Sequence, residues 1–159
     1  MRRLNKLSVF FFSLLVLILT SEISFSQNVN AIEKYPLDEW TLYQEISGVE
    51  VYFQRTECHD IKYDKHAEYI LIKIINTTKN DLNVQWKREI WYNYECFNCE
   101  SESDEYISNV FVKAGESIEG DCYKESDRNL NICSKLLRYN TKKLTDFKMT
   151  ELETHSMKN

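Results

Sequence analysis

The sequence predicts an all-β protein, an antiparallel β-sandwich of about seven to eight strands. Three observations carry that expectation. Apolar and polar residues alternate in short runs, polar turn residues separate those runs at intervals of roughly 8–12 residues, and no stretch holds the 3.6-residue period of a long amphipathic helix.

The mature domain is expected to begin with an irregular polar lead-in, residues 27–39, before a sandwich over 40–152 and a polar tail over 153–159. Residues 40–46 are the first expected strand, ended by the turn pair Ser47-Gly48. In the second, Val49, Val51 and Phe53 share one face opposite Glu50, Tyr52 and Gln54, and the strand runs into Cys58. Residues 67–76 put Ile70, Ile72 and Ile74 on one face and Tyr69, Leu71 and Ile75 on the other, the pattern of a central strand covered on both sides. After the polar turn 77–81, Leu82–Tyr92 alternates most clearly. Its Leu82, Val84, Trp86, Ile90 and Tyr92 form a core face, with Arg88 the odd member at a rim. Trp91 lies on the opposite face and is expected beside Tyr52 and Tyr69. Residues 106–113, a tight Ala114-Gly115 turn and a short strand through Ile118 follow. Residues 130–137 also fit one turn of helix, but Asn131 and Ser134 favour strand there, and 144–152 closes the set. The architecture this implies is immunoglobulin-like.

The N-terminus reads as an export signal. A basic leader, Arg2, Arg3 and Lys6, precedes an uncharged apolar run over 7–19, shorter than the ~20 residues that span a bilayer. Ser24 and Ser26 place small residues where a signal peptidase cuts, so the expected mature chain starts at Gln27 and is secreted or periplasmic. No later run approaches membrane-spanning length. Net charge is −5, and an acidic mature chain with no basic block lacks the electrostatic footprint for nucleic acid phosphates, so no nucleic acid partner is expected.

The stretches "VEVYFQRTEC", "EYILIKIINTTKNDLNVQWKREIWYN" and "VKAGESIEGDC" resemble small secreted immunoglobulin-like sandwich proteins of Bacteroidota-type bacteria. The resemblance covers roughly residues 40–137. It rests on strand and turn motifs, implies a secreted sandwich, and carries over no catalytic residue.

Five cysteines follow the leader: Cys58, Cys96, Cys99, Cys122 and Cys133. In an exported chain the default is disulfides, and an odd count leaves one thiol. Cys133, inside an apolar alternating stretch, is the expected thiol, buried and packed. Hairpin parity brings the other four to one pole, paired either as Cys96–Cys99 with Cys58–Cys122 or as Cys58–Cys96 with Cys99–Cys122. The bridges are expected to hold the loops around 60–65 and 100–105 side by side. The Cys96-Phe-Asn-Cys99 spacing also suits redox or zinc chemistry, but no βαβ setting surrounds it and acidic residues follow it.

The same pole is the expected binding site, since loops on a rigid scaffold carry function. His59, Asp60, Asp64 and His66 are chemically suited to a transition metal, and Glu100, Glu102, Asp104 and Glu105 to loose cation binding. Trp91 and Tyr94 are candidates for an aromatic surface against sugar or peptide. There is no nucleophile elbow, zinc-protease motif or Gly-rich phosphate loop. The expectation is a non-enzymatic recognition module without a cofactor, whose partner is a protein or surface glycan. A metal- or cation-dependent activity at the cysteine-rich pole is the alternative.

Overall fold

The computed structural model describes residues 31–122 and 127–157, so the expected leader and its cleavage site lie outside the described residues. Among the described residues the protein is all-β, with nine strands in two antiparallel sheets: β1 Thr41–Ile46, β2 Val49–Asp60, β3 Lys65–Asn76, β4 Leu82–Tyr92, β5 Glu95–Cys96, β6 Ile107–Val112, β7 Ser117–Glu119, β8 Asn131–Leu136 and β9 Leu144–Ser156. One sheet runs β1-β2-β3, with β7 and β8 pairing successive stretches along the far edge of β3. The other is built on β4, flanked by β9 on one side and by β6 and β5 on the other.

Alternation explains why these runs became strands. Val49, Val51 and Phe53 of β2 and Ile70, Ile72 and Ile74 of β3 face Leu82, Val84 and Trp86 of β4, Val110 and Val112 of β6, and Phe147 and Met149 of β9 across one core. Each such side chain contributes ~1.5–3 kcal/mol by leaving water. Tyr35, Tyr43, Phe53 and Phe147 interlock there, with the Phe53 and Phe147 rings 4.4 Å apart between centroids.

Several boundaries differ from those expected. The lead-in is structural: a 3-10 turn, Ala31–Lys34, carries Ile32 into the core, and Tyr35 follows it. Two apolar side chains in a polar run were too few to show a period. The expected tail continues as strand, because β9 pairs β4 as far as Ser156 opposite Leu82. Tyr106 and Leu130 end 3-10 turns rather than starting strands. The two-residue β5 was too short to announce itself.

Asn76 ties the two sheets together at the pole opposite the β2–β3 hairpin. Its fully buried side chain donates to the carbonyls of Asn80 (2.8 Å), Val112 (3.1 Å) and Lys113 (3.1 Å), and accepts from the Thr78 amide and hydroxyl. The Asn76-Thr77-Thr78 sequence therefore serves packing. Its amide nitrogen is not presented to solvent.

Candidate functional site

The structure pairs Cys58 with Cys122 and Cys96 with Cys99, and leaves Cys133 a thiol. Cys58 lies opposite Ala67 in an unbroken β2–β3 register, on the outer face shared with Tyr52 and Gln54. Cys122 follows β7, which pairs the far edge of β3, yet its Cα is 5.4 Å from that of Cys58. The chain after β7 therefore reaches across β3 toward β2, on the outer face where Ala67 and Leu71 are buried. Gly120 makes the departure sterically feasible, since a Cβ there would sit 2.1 Å from the Leu130 carbonyl oxygen.

The second bridge is local. Cys96 and Cys99 frame Asn98, whose buried side chain accepts from the Ile90 amide (2.9 Å) and donates to the Arg88 carbonyl (2.6 Å). β6 pairs β4 only to Lys87 and β5 begins at Trp91, so Asn98 satisfies the edge between them. The Phe97 amide adds a bond to the Ile90 carbonyl, and its ring meets Tyr92 and Tyr106 edge-on. The geometry is that of a sheet-edge cap. Asn98 was missed from the sequence because an asparagine between cysteines reads as a turn residue.

Because each bridge closes within its own region, neither links the β2–β3 hairpin loop to the acidic loop. The expected side-by-side bracing of 60–65 and 100–105 does not occur. Parity predicts the end at which a cysteine falls, and is silent about the face it occupies. Cys133 is half-buried rather than packed away, because it pairs with Tyr69 and alternates with the buried Ile132 and Ser134. Burial pushes its thiol up, with Lys65 opposing.

Among the described residues, no group of three or more His, Cys, Asp and Glu side chains converges on a common metal position. Glu100 and Glu102 lie on an exposed loop; Asp104 and Glu105 open the 3-10 turn Asp104–Tyr106, capped by the Ser103 hydroxyl. They do not join the histidines as a shared ligand set. On the hairpin, Asp60 accepts from the Tyr63 amide (3.2 Å), while Asp64 contacts both His66 and Arg138. His59 and His66 are directly opposed across β2 and β3, with their Nδ1 atoms 2.8 Å apart.

Trp91 does not lie beside Tyr52 and Tyr69. They occupy β2 and β3, whereas Trp91 is on the outer face of the other sheet, beneath the Lys148 ammonium at 4.9 Å from the ring centroid. Alternation defines faces within a strand, and which sheet a strand joins is a tertiary choice. Tyr94 sits in the β4–β5 turn, where Asn93 and Tyr94 have positive φ of 50° and 67°. Asparagine is at ease there, but a bulky residue is not.

Three loops are joined at this pole. Asp64 pairs with Arg138 and the Leu137 amide bonds the His66 carbonyl, fastening the β8–β9 loop to the β2–β3 hairpin. Asn93 and Lys143 exchange bonds of 2.9 and 3.0 Å, fastening the same loop to the β4–β5 turn. The loops present Ile61, Tyr63, Tyr94 and Tyr139, exposed by 55% (Tyr94) to 87% (Ile61). Lys62, Lys65, Arg138, Lys142 and Lys143 outnumber Asp60, Asp64 and Glu95, so this pole is cationic in an acidic protein. At the other pole, a hollow of about 310 Å³ beneath the β1–β2 turn offers Glu45 and Glu50 but no histidine or cysteine. The chain matches no protein-family model, no curated protein and no solved structure.

Proposed function

We propose that the protein is an exported, non-enzymatic immunoglobulin-like module that recognises another macromolecule, a protein or surface glycan, at the cell envelope or outside the cell. The contact surface is the pole formed by the β2–β3, β4–β5 and β8–β9 loops. Tyr94 is the observation that carries this reading. A left-handed backbone at a non-glycine residue costs ~1–2 kcal/mol, and here the strained residue is an exposed aromatic. Strain retained at an exposed aromatic points to a binding role. Tyr63 and Tyr139 supply further rigid contact area at small entropic cost. The cationic balance of the pole favours an acidic contact face on the partner.

Export is supported by the basic leader and its short apolar run, and by two disulfides, which persist in oxidising compartments. The resemblance to small secreted Bacteroidota-type sandwich proteins agrees with this reading. Among the described residues no helix is long and apolar enough to cross a membrane.

The test is capture from envelope extract by the wild-type protein, by Tyr94→Gly, by a Tyr63→Ala/Tyr139→Ala variant and by Leu42→Ala on the distant edge strand. Tyr94→Gly should be at least as stable as wild type yet capture less partner, and the tyrosine pair should capture least. Leu42→Ala should capture normally. Undiminished capture by both tyrosine variants would overturn the assigned surface, and N-terminal sequencing that finds Met1 intact on exported material would overturn processing near Gln27.

A further inference from the structure

We propose that His59 and His66 form a two-nitrogen chelate for a divalent transition metal of tetragonal preference, copper(II) first and nickel(II) after it. The site stands independently of the recognition reading. The two residues are directly opposed in an unbroken antiparallel register, so the backbone ladder holds both rings. Their Nδ1 atoms face each other at 2.8 Å.

The outer nitrogens decide what lies between the inner ones. His66 Nε2 is 3.3 Å from Asp64 Oδ1, and His59 Nε2 is 3.9 Å from Glu57 Oε2. Asp64 is close enough to His66 Nε2 to favour hydrogen on that nitrogen, as in carboxylate–histidine–metal arrangements, whereas Glu57 lies beyond hydrogen-bond distance from His59. His66 Nδ1 then carries a lone pair that accepts a hydrogen bond from His59 Nδ1 at 2.8 Å, and a cation that displaces this shared proton gains both nitrogens as ligands. The metal competes best for the pair where both rings are neutral.

Geometry selects the metal. With metal–nitrogen bonds of about 2.0 Å, a 2.8 Å separation subtends about 90°, the angle between neighbouring ligands in a square-planar or tetragonal site. A tetrahedral zinc site would require the two nitrogens to open to about 3.3 Å. Copper(II) also heads the affinity order for such ligands. His66 is held with its side chain 13% exposed, whereas that of His59 is 52% exposed. The remaining coordination positions therefore open to solvent, where water or a donor from a second molecule completes them. Arg138 shares Asp64 with His66, which anchors the carboxylate that orients the ring.

The experiment is titration of the purified exported protein with copper(II), nickel(II) and zinc(II), with electron paramagnetic resonance on the copper-loaded sample. Nickel(II) serves as the probe that does not oxidise the Cys133 thiol. One equivalent of copper(II) should bind with hyperfine structure from two imidazole nitrogens, more tightly than nickel(II) or zinc(II). His59→Gln and His66→Gln should each weaken copper and nickel binding at least tenfold, and His155→Gln should leave both unchanged. Far-UV circular dichroism checks that the variants fold. Spectra of the wild-type protein lacking two-nitrogen structure would overturn the proposal. So would a His59→Gln/His66→Gln protein that binds copper(II) and nickel(II) like wild type.

Discussion

Removing the two disulfides one at a time should separate a bridge that constrains the whole chain from one that shapes a single edge. Cys58–Cys122 closes a loop across a sequence separation of 64, whereas Cys96–Cys99 spans a separation of 3. Loop-closure entropy assigns ~4 kcal/mol to the first and ~2 kcal/mol to the second. Local structure adds to both. Without the long bridge, the segment over β3 is free to lift and wet Ala67 and Leu71, a further ~1–2 kcal/mol of apolar burial. Without the short one, Asn98 loses its fixed position against Arg88 and Ile90, at ~1 kcal/mol for each weakened bond. Equilibrium urea denaturation of Cys58→Ala/Cys122→Ala and of Cys96→Ala/Cys99→Ala, each under non-reducing conditions, measures the difference. The first variant should lose about 4–6 kcal/mol and the second about 2–4 kcal/mol. Equal losses, or a larger loss from the short bridge, would refute the view that the long bridge acts mainly on the unfolded chain.

Trp86→Ala should destabilise by ~3–5 kcal/mol, because Trp86 is fully buried in the core, while Asn83→Ala on the outer face should shift stability by less than ~0.5 kcal/mol. Thermal and urea unfolding of the pair checks the assignment of faces along β4. Asn76→Ala should lose about 3 kcal/mol, as several carbonyl and Thr78 partners become unsatisfied at once, and Asn76→Asp should fare no better because it cannot donate to them. Burial foremost, with Tyr43 and Asp146 adding for Tyr35 and Cys133 for Tyr92, holds these two phenols above the ordinary value of about 10. The stability each contributes is therefore complete below about pH 10 and is lost as pH rises from there toward the folded value. Absorbance titration at alkaline pH should show a late-ionising fraction, and Tyr35→Phe should flatten the alkaline loss of stability.

What the sequence determined by itself was everything that depends on neighbours along the chain. The period-two alternation of Val49, Val51 and Phe53, of Ile70, Ile72 and Ile74, and of Leu82, Val84 and Trp86 specified strands and their buried faces. The reason is that successive side chains on a pleated backbone point to opposite sides whatever the sheet around them. The left-handed turn at Gly48 was legible for a similarly local reason. Tertiary structure decided which sheet each strand joined, and so placed Trp91 on the opposite side of the molecule from Tyr52 and Tyr69. It decided that the segment after β7 crosses the outer face of β3, which chose Cys58–Cys122 over the competing pairing. It also gave Asn76 and Asn98 their roles, since a buried amide is defined by the backbone groups left unpaired around it. Those groups belong to residues up to 37 positions away, and no pattern within a strand records them.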